Sequence, residues 1–353
     1  LFKLEGPFFF SKQTKKQMKT LKTELATEMA ISEMKQFFTS SLVNTLNLVK
    51  VEAPLIVVKG TGINDDLNGT ESPVTVAIKA MPGLNVEIVH SLAKWKRAKL
   101  ASLNAPVGLG ICTDMKALRP DEDFSPIHSI YVDQWDWEKV INISDRTLSY
   151  LTTSVKDIYN VLLETSQFII EKYELENLSL PPKITFIHTE DLLNEYPTLT
   201  AKEREDKICK EFGAVFLIGI GGDLLDGKPH DGRAPDYDDW STESSPGKKG
   251  LNGDILVWNE VLGRSYELSS MGIRVCPNAL KKQLKLRGQE QRMEMNWHKQ
   301  LLEEKLPYTI GGGIGQSRLA MFILQKKHIG EVQSSIWPAE IFAESALNGI
   351  RLL

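Results

Sequence analysis

Apolar and polar positions follow two periods along this chain. Between residues 21 and 46, Leu25, Met29, Phe37, Leu42 and Leu46 recur at near-helical intervals and predict an amphipathic helix. Residues 48–54 then read as a strand ending in Pro54. Proline has no N–H to give to a ladder, so this strand belongs at a sheet edge or an interface. Short strands are predicted at 74–80 and 86–89, on either side of Pro82-Gly83, and a basic helix at 90–100. Two stronger strand patterns, 110–118 and 128–137, flank a loop that begins Arg119-Pro120-Asp121-Glu122-Asp123. Alternation puts His128, Ile130, Val132, Gln134 and Asp136 on one face of the second.

A long helix is predicted over 147–172, with Ile158, Leu162, Phe168 and Ile169 among its apolar positions. Strands at 184–188 and 214–220 are separated by a helix at 201–211. The Gly/Ser/Lys stretch 243–250 reads as a mobile loop, 250–263 with 265–275 as a hairpin, and 280–302 as helix. Gly311-Gly312-Gly313-Ile314-Gly315-Gln316-Ser317-Arg318 then reads as a glycine-dense turn feeding an apolar helix. Hairpins mixed with helices favour an α+β fold with a largely antiparallel sheet.

A chain of 353 residues makes one large domain or two small ones. Its net charge of −4 gives no sign of a broad basic face for nucleic acid. Cys112, Cys209 and Cys276 are scattered without a CxxC pair, which fits a reducing compartment rather than a disulfide framework. The longest apolar run, 214–220, is too short to span a bilayer. A cytoplasmic location without membrane contact is therefore expected. Residues 1–20 are expected to be a flexible extension or an expression remnant, and 21–353 a single domain.

The glycine stretch could carry chemistry. Residues without Cβ let a ligand lie on the backbone, a helix N-terminus offers free N–H groups, and the Arg318 guanidinium can stack on a base or pair with phosphate. That combination suits a nucleotide; a strand-to-helix turn needing positive φ explains the glycines equally well. Arg119 fits a phosphate or carboxylate with two parallel hydrogen bonds, or else it opens a solvated hairpin loop. Asp254 and Glu267, on neighbouring predicted strands, could hold Mg²⁺ through hard oxygen ligands, or be two exposed sheet positions. Arg274 lies seven residues beyond Glu267, which a regular strand would put on the opposite face. A bulge at Gly272 would bring both into one pocket. The acidic, aromatic run 234–240 could bind an ammonium group or be a plain loop. Residues 60–69 and the basic stretch 90–97 could cover a small anion, or be a turn and a solvated helix face. The six histidines show no metal-ligand spacing.

Taken together, seven segments resemble a known family: 90–97, 115–123, 131–138, 233–242, 251–259, 267–274 and 311–318. They resemble the ammonia-dependent asparagine synthetases, or aspartate–ammonia ligases, and the resemblance runs from about residue 20 to the end of the chain. Residues 1–20, the loop 101–109 and the tail after Gln333 depart from the family pattern. The resemblance implies an α+β, class II aminoacyl-tRNA synthetase-like catalytic core, mainly an antiparallel sheet flanked by helices and usually a homodimer. Pro54 would then lie at the dimer interface. The implied reaction is AMP-forming synthesis of L-asparagine from L-aspartate, ATP and ammonia through β-aspartyl-adenylate.

The resemblance also implies roles residue by residue. Arg119, with Mg²⁺ held by Asp254 and Glu267, would offset charge at the attacked phosphorus. Arg318 would stack on adenine, with Gly311, Gly313 and Gly315 against the nucleotide. Lys96 and Arg274 would take the substrate α-carboxylate, Ser91 and Ser270 would add hydrogen bonds, and Asp238 would take the α-ammonium. Asp65 and Gln134, with Asp136, would lie near the new amide. Asp65 would receive ammonium and take its proton. A tRNA synthetase would need an anticodon-binding domain, for which the matched core leaves no room. A glutamine-using enzyme would need a glutaminase domain, and none is visible.

Overall fold

The computed structural model describes residues 24–65, 67, 71–176, 178 and 180–353. The extension 1–20 and part of the loop 60–69 lie outside the described residues. In chain order, α1 (Glu24–Leu46) leads into β1 (Leu48–Lys50), β2 (Ile56–Val58), β3 (Thr75–Ala77) and β4 (Asn85–Ile88). Then come α2 (Ala93–Ser102), the long pair β5 (Gly110–Leu118) and β6 (Tyr131–Val140), and α3 (Leu148–Tyr173). They are followed by β7 (Thr185–His188), α4 (Thr189–Glu195), α5 (Ala201–Phe212), β8 (Ala214–Ile218), β9 (Glu243–Ser245) and β10 (Lys248–Lys249). The chain continues through β11 (Asn252–Asn259), β12 (Arg264–Ile273), α6 (Pro277–Leu286), α7 (Asn296–Leu302), β13 (Thr309–Gly315), α8 (Gln316–Ile323) and α9 (Ala339–Leu347).

Eight strands form the central sheet in the order β1-β5-β6-β13-β12-β11-β8-β7. All inner pairings are antiparallel, as the hairpin pattern predicts. The outermost pairings, β1 with β5 and β7 with β8, are parallel. A parallel neighbour requires a crossover, and β7 reaches β8 through α4 and α5. The sheet is thus mixed, with parallel edges around an antiparallel centre.

One face of this sheet is apolar throughout, whereas the other is polar only at its centre and apolar at its flanks, where Val215, Leu217 and Leu256 form one cluster and Met115 and Ala117 belong to another. Trp135 and Trp137 of β6 join Met271, Ile273, Ile310 and Ile314 in the core, covered by α1, α3 and α8. Phe38 of α1 packs on Trp135 with ring centroids 4.1 Å apart, and Phe37 stacks on Phe168 of α3 at 4.5 Å. Thr147 caps α3 by accepting from the Tyr150 N–H. Gln134, Asp136 and Glu138 alternate onto the opposite face.

Several boundaries differ from the periodic reading. β6 begins at Tyr131 because Ser125 and His128 close a tight turn through paired backbone hydrogen bonds. The expected strand over 48–54 stops at Lys50, at the sheet edge. α2 starts at Ala93, which leaves His90, Ser91 and Leu92 outside the helix. The 280–302 region divides into α6, a 3-10 turn at Glu290–Glu294, and α7. Gly288 at φ +63° and the extended Met295 end the helical run. The 243–250 stretch is the β9–β10 hairpin, turning at Gly247 with φ +75°.

Candidate active site

The polar faces of β6, β12 and β13 make a floor. The glycines of β13 are a central strand rather than a turn, and Gly311, Gly312, Gly313 and Gly315 are absent from the positive-φ positions. They are needed for close approach instead. A Cβ on Gly311 would run into the Glu138 carboxylate and lie 2.7 Å from Arg274 Nη2. On Gly313 it would collide with the Gln134 amide, and on Gly312 it would lie 2.5 Å from Met271 Cβ and 2.7 Å from the Ser270 carbonyl.

β12 carries Glu267 and Ser270 to this floor, and Arg274 directly after its end, by means of a bulge. Ile255 pairs with Ser269 and Leu256 with Glu267, which leaves Leu268 as the extra residue. The ladder is regular through Gly272, which faces Asn252 on one side and Gly311 on the other. The bulge expected at Gly272 therefore sits at Leu268. Its effect is the expected one, with Glu267 and Arg274 lining the same cavity.

That cavity, of about 360 Å³, is lined by Asp65, Ser91, Arg119, Gln134, Asp136, Asp238, Glu267, Ser270, Arg274 and Gly313. A second, of about 220 Å³, shares Arg119, Gln134, Glu267 and Gly313 with it and adds His128, Gly315 and Arg318. The shared walls make one cleft with two lobes. Three expected residues stand behind its lining. Lys96 is buried, ion-paired to Asp136, and donates to the Gly312 carbonyl at 3.1 Å. Gly311 is wedged between Glu138 and Arg274. Asp254 accepts from Arg233 Nη2 at 2.6 Å.

Charge is dense around the cleft. Arg274 donates through Nε and Nη2 to Glu138, at 3.1 and 2.8 Å, and through Nη1 to Asp238. Burial opposes its charge, but Glu138 and Asp238 outweigh burial and raise the guanidinium pKa. Burial pushes the Asp254 carboxyl up to about 7 against the pull of Arg233, and the Glu267 charge adds to the rise. Burial lowers the His128 imidazole to about 4, with Arg318 assisting, so this ring is neutral at pH 7. Arg119 is anchored by two hydrogen bonds to the His90 carbonyl, at 3.3 and 3.1 Å. Arg318 lies 5.9 Å from the Tyr266 ring centroid and donates to the Glu267 carbonyl at 3.0 Å. Asp65 is buried, and its Oδ1 accepts from the Leu67 N–H at 3.1 Å.

Three residues of the site lie within the matched segments but received no role of their own from the sequence. Glu138 shares strand parity with Gln134 and Asp136, so alternation could have found it. Arg233 clamps Asp254 and reaches Asp238 at 3.7 Å. Tyr237 lines the larger lobe. Spacing gave no signal for these last two. Among the described residues no group of three or more His, Cys, Asp or Glu side chains is arranged to hold a metal ion.

The architecture places the protein in the class II aminoacyl-tRNA synthetase fold. Asparaginyl-tRNA synthetase from Pyrococcus horikoshii complexed with asparaginyl-adenylate matches at a TM-score of 0.66 and 15% identity, over 88% of this chain and 70% of that one. The Entamoeba histolytica asparaginyl enzyme, also with asparaginyl-adenylate, gives 0.62 at 17% identity, over 88% of this chain and 66% of that one. Aspartyl-tRNA synthetase from the same organism gives 0.60 at 14%, over 94% and 63%. Identities this low speak to the fold alone. The family model described as Aspartate-ammonia ligase matches residues 25–349, and the chain belongs to that family of ligases.

Proposed function

We propose that this protein makes L-asparagine from L-aspartate, ATP and ammonia, releasing AMP and pyrophosphate, with β-aspartyl-adenylate as the intermediate. The observation that carries this reading is the position of Arg119, which lines both lobes of the cleft. A nucleotide in the smaller lobe and an amino acid in the larger would bring α-phosphate and carboxylate together at that guanidinium. When the β-carboxylate attacks phosphorus, negative charge builds on the pentavalent centre, and a fixed arginine offsets it without reorganisation.

In the smaller lobe, Arg318 stacks on adenine beside Gly313 and Gly315, with Gly311 keeping the strand flat beneath. In the larger lobe, Arg274 takes the substrate α-carboxylate and Asp238 its ammonium, with Ser91 and Ser270 as further partners. Lys96, under Gly312 and Asp136, adds positive potential below that carboxylate. Asp65 accepts the proton that converts ammonium to nucleophilic ammonia, and Gln134 and Asp136 orient the new amide.

Asp254 and Glu267 would hold Mg²⁺. Both offer hard oxygen donors, and the Glu267 charge already raises Asp254, a repulsion that a divalent cation relieves. The cation would displace Arg233 from Asp254 and neutralise charge on the phosphates. We further propose a homodimer joined near Pro54, working in the cytoplasm. Among the described residues no helix is long and apolar enough to cross a membrane.

The test is release of AMP and asparagine from ATP, Mg²⁺ and L-aspartate, with ammonium chloride or tRNA supplied separately. Ammonium-dependent release of both products is expected. Aspartate loaded onto tRNA, with no asparagine formed, would overturn the proposal.

A further inference from the structure

Behind the larger lobe lies a buried ionic cluster that none of the roles above uses. Asp236 is wholly buried, and its Oδ2 receives Lys94 Nζ at 2.9 Å, His298 Nε2 at 2.9 Å and Arg292 Nη1 at 3.1 Å. Burying ionic groups seldom gains net stability over apolar packing of the same volume, whereas it does fix geometry. The geometry fixed here joins the walls of the cleft.

Asp236 directly precedes Tyr237 and Asp238. Gln283 grips the same segment through the Pro235 and Asp238 carbonyls, each at 2.9 Å. His298 belongs to α7, which holds the segment leading to Asp65. The Trp297 N–H donates to the Thr61 carbonyl at 3.1 Å. Gly62 sits so close that a Cβ there would lie 2.8 Å from His298 Nδ1 and 2.9 Å from Met295 Cβ. A second arm, Lys94, sits on α2 three residues beyond Ser91, and its carbonyl accepts from Trp297 Nε1 at 2.9 Å. The two walls face each other across the larger lobe, which Asp65 and Tyr237 both line; desolvation raises the pKa of the Tyr237 hydroxyl and the Asp65 charge adds to the rise.

We propose that Asp236 is a positioning residue for the ammonia step: through His298 it holds the Asp65 segment against the wall made by Tyr237 and Asp238. This rests on the reading of Asp65 as the base that receives ammonium. Arg119 and the nucleotide lobe lie outside the cluster's contacts, and the His298 arm reaches the Asp65 segment rather than Asp238, so loosening that arm should spare adenylate formation.

Three variants test this at different severity. Asp236→Asn strikes the hub, His298→Gln removes one arm, and Gly62→Ala presses on the same contact from the loop side while also straining a backbone held at φ +77°. Aspartate-dependent ATP–pyrophosphate exchange reads activation, asparagine release over a range of ammonium reads the second step, and hydrogen exchange of the 59–65 peptide reads the coupling directly. For His298→Gln and Gly62→Ala, the KM for ammonium should rise about tenfold or more while pyrophosphate exchange stays within about threefold of wild type. Backbone exchange in 59–65 should also quicken. Equal losses in both reactions at unchanged KM for ammonium would mean a merely structural cluster and overturn the proposal. Unchanged hydrogen exchange in all three variants would overturn it as well. Should the unaltered enzyme release no asparagine, the proposed function fails instead, and hydrogen exchange alone still decides whether the cluster couples the walls.

Discussion

Glu138 takes two of the Arg274 guanidinium nitrogens, Nε at 3.1 Å and Nη2 at 2.8 Å, and both side chains are buried. Removing one partner of such a pair strands the other charge. Glu138→Ala is expected to lower stability by about 3–5 kcal/mol. Urea unfolding measures this, and an unmoved midpoint would mean that Asp238 alone satisfies Arg274.

The same pair sets a pH response. Burial opposes the Glu138 carboxylate, but Arg274 and Lys96, with hydrogen bonds from Arg274 and Thr309, outweigh it and lower its pKa. A depressed folded-state pKa contributes stability that is complete above the unfolded value of about 4.3 and disappears as pH falls through the folded value. Wild-type stability should therefore fall as the medium is acidified below that point. Glu138→Gln should show a shallower loss in acid titrations of the unfolding free energy.

Two neighbouring glycines should fail in different ways. A methyl on Gly312 meets β12 main chain at Ser270, so Gly312→Ala should cost about 1–3 kcal/mol of stability. At Gly313 the obstruction is the Gln134 side chain, whose amide can swing away. Gly313→Ala should keep its melting temperature within a few degrees while asparagine release falls. Thermal melts beside the activity assay separate the two, and matching losses of stability would contradict the contrast.

Much of this arrangement was legible in the chain. The periodic segments marked α1, α3, β5 and the β11–β12 hairpin, because each has enough residues to show its period. The seven matched segments pointed to the cleft, and most of the residues they nominated line it. What stayed hidden depended on partners distant in sequence. The β13 glycines resembled a turn because nothing local reveals that Glu138 and Gln134 press on them. The bulge at Leu268 depends on β11 register, and the parallel edges depend on where crossovers land. The contact between Arg233 and Asp254 spans two loops and strands that fold together only in three dimensions.

Arg119 and Arg318 should separate chemistry from binding. Arg119→Ala is expected to slow pyrophosphate exchange by about 10²–10³-fold, the usual cost of losing one preorganised donor at developing charge. Arg318→Ala should mainly raise the KM for ATP, about tenfold for a lost stacking cation, leaving the KM for aspartate near wild type. Steady-state kinetics with each substrate varied would expose a mistaken assignment as a reversed pattern.

Asp254 should couple metal to protons. Its carboxyl is raised to about 7 by burial, with Glu267 adding to the rise. The folded state therefore binds this proton more tightly than the unfolded chain, so the group opposes folding increasingly as pH rises from about 4 to about 7. A metal ligand must give up its proton. Mg²⁺ binding in the presence of ATP should tighten as pH rises through about 7, and Asp254→Asn should reduce the trend to that of the ATP phosphates alone. Calorimetry in buffers of different ionisation enthalpy would count the protons released, and equal counts for wild type and Asp254→Asn at pH 6 would sink the coupling.

The bare strand β13 has one more consequence. Its surface toward the cleft is peptide backbone, whose shape comes from the sheet and not from any side chain. Substitution has little room to retune it, since a methyl at Gly311 or Gly312 meets atoms that are held in place and one at Gly313 must displace the Gln134 amide. A descendant of this enzyme with altered substrate preference would therefore have to vary the walls, on loops and helices from separate stretches of chain, over a base plate that stays as it is.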